Sequence, residues 1–223
     1  PIVVNDNIVD LMIGGGSAAG APAVIAASPS TSYARFVNKV TTSAAGSRAH
    51  IHFGADTADG SGLHSVTVEG SAPAGPAPIL YAYAVPDPAR FAEVTFGEAL
   101  RDAGVSVPAL ATAAPVNVAA LKASYTAGNM VAEHVSPPLA EDVKVTLKVS
   151  QNLHASMMPR VLRAVMAPND TAKTGFDLEH DFLAKAGLDL TSAQQADGAG
   201  GDAHFTPAFV VSYLAFMSAQ KDS

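Results

Sequence analysis

Ser136-Pro137-Pro138-Leu139-Ala140-Glu141-Asp142-Val143-Lys144-Val145-Thr146-Leu147-Lys148-Val149-Ser150-Gln151-Asn152 is the stretch that decides how this chain is read. Leu139, Val143 and Leu147 recur at i, i+4 and i+8, which draws one apolar stripe along a helix. Ser136 suits a helix cap and Pro137 its first turn. Glu141 and Asp142 fall toward the positive end of the helix dipole, Lys144 and Lys148 toward its negative end. A second helical stretch is predicted from Asn152 to Met166, with Pro159 expected to kink it. Ser150-x-Asn152 therefore falls at a turn between two helices. Read as three residues alone, it is a helix end followed by an Asn cap.

Working outward, the N-terminal part reads as β-rich. Short apolar runs at Ile2–Val4, Ile8–Ile13, Ala23–Ala27, Phe36–Thr42, His50–Phe53, His64–Glu69 and Ile79–Val85 are predicted strands. Gly14-Gly15-Gly16, Ser28-Pro29-Ser30 and Asp59-Gly60-Ser61-Gly62 separate them. Pro86-Asp87-Pro88 opens a predicted helix from Ala89 to Ala103, with Gly104 at its end. Residues 105–135 read as extended segments and loops, including Val105–Val107 and Val116–Val118. Thr174-Gly175-Phe176-Asp177 has a capping-box pattern and predicts a helix to Ala186, ended by Gly187. Thr206-Pro207 opens a last predicted helix through Met217.

Composition narrows the function classes. The 223 residues carry a formal charge of -7, with 48% hydrophobic and 15% charged residues, which suits one or two globular domains. No basic cluster offers a nucleic-acid footprint. Cysteine is absent, so disulfides and thiolate metal sites are excluded. No apolar run reaches the roughly 18 residues of a membrane-spanning helix. Pro1 is not an initiator and no basic stretch precedes Ile2-Val3-Val4, so a signal peptide is expected to be absent from these residues.

Four other patterns compete for attention. Gly14 to Gly20 follows an apolar run and fits Gly-x-Gly-x-x-Ala, a dinucleotide-binding fingerprint that would make the chain an oxidoreductase module. That chemistry needs a helix after the turn and an acid about 20 residues on. No Asp or Glu lies between Asp10 and Asp56, and Pro22 and Pro29 break the helix. His50-x-His52 puts two imidazoles on one strand face, but alternation with Ile51 and Phe53 accounts for them as a solvated face. Asp56, Asp59 and Gly60 lack calcium-loop spacing and read as a polar turn. Met157 and Met158 read as core, and His154 as either a cleft or a helix-surface residue.

The region around Ser150-x-Asn152 and the segment Asp197-Gly198-Ala199-Gly200-Gly201 together resemble the low-molecular-mass class C penicillin-binding proteins, the serine D-alanyl-D-alanine carboxypeptidase/endopeptidase family. Ser-x-Asn is the second of three motifs in penicillin-interacting serine enzymes. Further similar stretches are Pro1 to Asn7, Val68 to Gly75, Val85 to Ala89 and Leu100 to Val105. Ala199 departs from the family's Ser, and Gly201 stands where Leu is common. No Ser-x-x-Lys in a nucleophile setting precedes Ser150. Lys173-Thr174-Gly175 spells the third motif but falls before Asp197 and ahead of a capped helix, so it is read as a coincidence.

The resemblance implies an α/β (α+β) fold, part of a transpeptidase/β-lactamase-like domain with β-rich inserted domains. Residues 1–135 would lie in the inserted region and 136–223 in the helical part of the transpeptidase-like domain. It implies Ser150 and Asn152 as catalytic residues, and Asp197, Gly198 and Gly200 as substrate-binding residues, around one groove. The substrate would be a peptidoglycan peptide, with β-lactams as inhibitors. No metal or organic cofactor is implied, and the location would be periplasmic or otherwise extracytoplasmic. The chain is expected to be an internal piece of the enzyme, inactive alone and completed by the remaining segments of the parent. A non-catalytic cell-wall binding or structural protein on the same fold stays open beside this.

Overall fold

The computed structural model describes residues 2–75, 77–108, 124–170, 172–195, 197–201 and 203–220. The chain forms two compact units, Pro1–Asn129 and Met130–Ser223.

The first unit holds two three-stranded sheets. In one, β1 (Ile8–Gly14) is central, flanked antiparallel by β2 (Val24–Ser28) and β6 (Ile79–Ala84). Val9, Leu11 and Ile13 alternate inward from β1, as a strand with one covered face requires. In the other sheet, β5 (His64–Pro73) runs parallel to β3 (Ala34–Ser43) and antiparallel to β4 (His50–Ala58). Helix α1 (Pro88–Asp102) starts where Asp87 accepts hydrogen bonds from the backbone N–H groups of Ala89 and Arg90. One apolar cluster joins both sheets to α1 through Leu11, Ile13, Val40, Val66, Val68, Tyr83 and Phe91. Each such buried side chain contributes about 2 kcal/mol.

Several sequence expectations change here. Ile2–Val4 forms no strand, and Val105–Val107 is not a strand either. Val116–Val118 lies outside the described residues. The Gly14 to Gly20 turn joins two antiparallel strands and leads into no helix, which removes the dinucleotide-binding reading. Its glycines serve close backbone approach instead. A Cβ on Gly15 would lie 2.5 Å from the Pro73 carbonyl oxygen, and one on Gly16 2.2 Å from that of Pro22. His50 and His52 sit exposed on β4, with His52 3.5 Å from Glu69.

Asp56 is no turn residue. It follows a register shift in β4, and its carboxylate receives the Tyr83 hydroxyl at 2.6 Å and faces His64 Nδ1 at 2.6 Å. It thus staples one sheet to the other. Burial works against its ionisation, but the hydrogen bonds from Tyr83 and His64 outweigh it and hold the carboxyl below its usual value. Asp56→Ala strands both partners and should cost about 3 kcal/mol in urea unfolding. The folded chain binds this proton more weakly than the unfolded chain does. The group's contribution is therefore complete above the unfolded value near pH 4 and fades as pH falls through the lower folded one. Asp56→Asn should flatten that part of the stability–pH curve.

The second unit is mainly helical: α2 (Leu139–Val149), α3 (Asn152–Met166), α4 (Gly175–Lys185) and α5 (Pro207–Ser218), with a short antiparallel pair β7 (Ala193–Gln194) and β8 (His204–Phe205). Helix α2 starts two residues later than Ser136 predicts, and Pro138 precedes it with no side-chain cap. The physical reason is the Pro137-Pro138 pair, because a residue before proline is pushed out of the helical region. Thr174 and Asp177 cap α4 reciprocally as expected, and Thr206 caps α5. No described helix is long and apolar enough to cross a membrane.

Candidate active site

Helix α2 ends on Ser150, which takes the left-handed conformation at φ 58, ψ 49. The backbone N–H groups of Ser150 and Gln151 both donate to the Thr146 carbonyl, the closure typical of helix ends where glycine usually stands. A serine there costs on the order of 1 kcal/mol in backbone strain. The next helix begins at once. Gln151, and not Asn152, caps α3, its side-chain oxygen accepting the Leu153 N–H at 2.9 Å. Asn152 is thereby released from the capping role. Ser150 and Asn152 are both exposed, and neither side chain hydrogen-bonds to another described residue. A hydroxyl and an amide two residues apart are thus held exposed at a fixed turn.

The Asp197–Gly201 loop is built by its aspartate. Asp197 accepts the N–H groups of Ala199 at 2.9 Å, Gly200 at 2.8 Å and Gly201 at 2.9 Å. Desolvation opposes its charge, yet these backbone donors keep its carboxyl below the ordinary value. Gly198 and Gly200 have φ of +73 and +88. Gly198 is seated on α3: a Cβ there would lie 2.9 Å from the Ala155 carbonyl oxygen and 3.2 Å from Ser156 Cα. Ala155 is the carbonyl that Pro159, lacking an N–H, cannot pair with along the helix. Helix α3 is continuous through Pro159. The proline's contribution is this freed surface, which the loop covers within one turn of Asn152.

His154 is neither a cleft group without partners nor a bare surface residue, since its Nδ1 lies 2.6 Å from the Asp142 carboxylate of α2. That pair had no sequence signal beyond the acidic first turn of α2. Lys173-Thr174-Gly175 is placed at the start of α4 and not on a strand. Lys173 pairs with Asp181 at 2.6 Å, Thr174 caps, and Gly175 is buried against Pro159. Ser218 to Lys221 has Ser-x-x-Lys spacing, which the sequence reading passed over. The Ser218 hydroxyl donates to the Ala215 carbonyl at the end of α5, and Lys221 lies outside the described residues.

Comparison with known proteins follows the same line. The model of the D-Ala-D-Ala carboxypeptidase 3 (S13) family matches residues 1–220. The chain belongs to that family. A D-alanyl-D-alanine carboxypeptidase from Actinomadura sp. (strain R39) is 29% identical over 184 residues, which are 82% of this chain and 32% of the relative. Two crystal structures of penicillin binding protein 4 (dacB) from Haemophilus influenzae share the fold. One is complexed with a β-lactam and aligns with a TM-score of 0.65 at 18% identity, covering 98% of this chain and 48% of that one. The other gives 0.67 at 16% identity, covering 98% and 46%. The chain thus spans about a third of the curated relative and about half of the solved ones. Its mixed α/β architecture is that of the penicillin-binding proteins.

Proposed function

We infer that these 223 residues are part of a serine D-Ala-D-Ala carboxypeptidase/endopeptidase that acts on peptidoglycan peptides and is acylated by β-lactams. The observation that carries this reading is the Ser150-Gln151-Asn152 turn, where the Ser150 and Asn152 side chains have no hydrogen-bond partner among the described residues, at the start of the helix that also seats the Asp197–Gly201 loop. In this reading residues 1–135 belong to the β-rich inserted region and 136–223 to the helical part of the transpeptidase-like domain. The site works outside the cytoplasm and needs no nucleic-acid partner.

The chemistry is acyl transfer from a peptide amide to a serine. The nucleophilic serine and its lysine base come from remaining segments of the parent enzyme. The serine oxygen bonds to the scissile carbonyl, the C–N bond breaks, and D-Ala leaves once its nitrogen gains a proton. Ser150 relays that proton, and Asn152 holds the substrate backbone and orients the lysine. Asp197 keeps the loop rigid, so Gly198 and Gly200 present backbone to the peptide at the groove edge. Water then cleaves the acyl-serine. A β-lactam enters the same first step, but its amine stays tethered.

The apolar stripe of α2 supports the need for the parent's other segments. Leu139 is 60% and Leu147 79% exposed, more than a stable helix surface normally leaves uncovered. The test is release of D-Ala from a peptide ending in D-Ala-D-Ala. The full-length parent protein should release it and lose that activity on penicillin treatment, whereas the 223-residue chain alone should do neither. A full-length protein that folds but neither releases D-Ala nor binds penicillin would favour the non-catalytic cell-wall reading.

A further inference from the structure

We propose that Asp142 and His154 are a positioning pair that sets the angle between α2 and α3 and thereby aims Ser150 and Asn152 for acyl transfer. The inference rests on the proposed function above and goes beyond it to residues outside the motif.

The pair brackets the motif. Asp142 lies in the first turn of α2, two turns before Ser150, and His154 in the first turn of α3, two residues after Asn152. Their side chains meet at 2.6 Å across the junction. An ionised carboxylate accepts the proton on Nδ1, which fixes both the imidazole tautomer and the ring plane. Among the described residues, no other side-chain hydrogen bond joins α2 to α3. Leu139 and Leu147 of α2 are exposed rather than pressed on α3. The junction itself is short, one left-handed serine and one capping glutamine, and it is strained. On α2 the tie lies two turns from that hinge, a lever about 12 Å long given the 1.5 Å rise per residue, while on α3 it lies within one turn. Reaction rates respond steeply to such placement, because a 1 Å displacement of a positioned group costs on the order of 10²-fold.

The charges around the pair are consistent with this role. The His154 and Asp142 side chains are 42% and 31% exposed, so the contact adds little to global stability and its effect falls on geometry. Glu141 of α2 is turned to Lys144 at 3.5 Å.

The experiment uses the full-length parent protein and labelled penicillin, with affinity and acylation rate measured separately. His154→Ala should slow acylation about 10-fold, leave the affinity of the first complex unchanged and barely move Tm. His154→Asn places an amide N–H near the Nδ1 position and should restore most of the rate. Asp142→Ala should match His154→Ala, and the double variant should be no slower than either single one. Full-rate acylation by His154→Ala would overturn the proposal, as would a His154→Asn variant as slow as Ala or losses that multiply in the double variant. Asn152→Ala run alongside separates the two levels. If it loses rate while both pair variants keep theirs, only the positioning role fails. If Asn152→Ala is also fast, or the wild-type protein is never acylated, the proposed function fails with it.

Discussion

Asn152→Ala in the full-length parent protein is expected to lower the penicillin acylation rate by about 10²-fold, the usual loss when one preorganised polar contact is removed from a reacting centre. The structure separates this outcome from a folding defect. Gln151 caps α3, while the Asn152 side chain bonds to no described residue, so its removal leaves every helix-end contact in place. Tm should therefore stay within about 2 °C of wild type, because no contact worth about 1 kcal/mol is lost. A drop in Tm with an unchanged acylation rate would return Asn152 to a purely structural role. Acylation is followed by stopped-flow with a fluorescent penicillin, and Tm by calorimetry on the same samples.

Gly175→Ala should have the largest effect on stability. A Cβ at this position would stand 1.8 Å from the Pro159 carbonyl oxygen and 2.6 Å from Pro159 Cα. Both are backbone atoms of α3, so no side-chain rotation relieves the clash. The substitution should cost about 3 kcal/mol or more, at the severe end for a single added methyl. Lys173→Ala in the same triplet should be mild, because its bond to Asp181 is exposed. It should leave acylation unchanged. If Lys173→Ala instead abolishes acylation with the fold intact, the triplet is catalytic and the assignment of Gly175 to packing is incomplete.

The parts of this molecule that were legible in sequence are the local ones. Thr174 and Asp177 form their capping box within four residues, and Asn152–Met166 carries its own helical period. The strands of the first unit show through their turns, although several extend further than their apolar runs. The pairing of those strands was not legible. Parallel β3 and β5 meet only because β4 lies at the far edge, and no local pattern encodes that order. Asp56 looked like a turn residue because its partner Tyr83 lies 27 residues away. The late start of α2 was readable in principle from Pro137-Pro138, which outweighs the capping residue before it. At the candidate site, Ser150-x-Asn152 and Asp197-Gly198 were each visible as motifs. The seat of Gly198 on Ala155 was not, since it joins segments about 40 residues apart through a carbonyl that Pro159 leaves unpaired. The left-handed Ser150 was also hidden, because sequence favours glycine at that place.

The central claim is that this chain supplies the Ser-x-Asn side of an acyl-serine site whose nucleophile lies elsewhere in the parent enzyme. Peptide mapping by mass spectrometry of the penicillin-treated full-length protein tests it most directly. One adduct per molecule, on a serine outside these 223 residues and abolished by changing that serine to alanine, is the predicted result. An adduct on Ser150, Ser218 or any other serine of this chain would contradict the account, and so would a folded full-length protein that carries none.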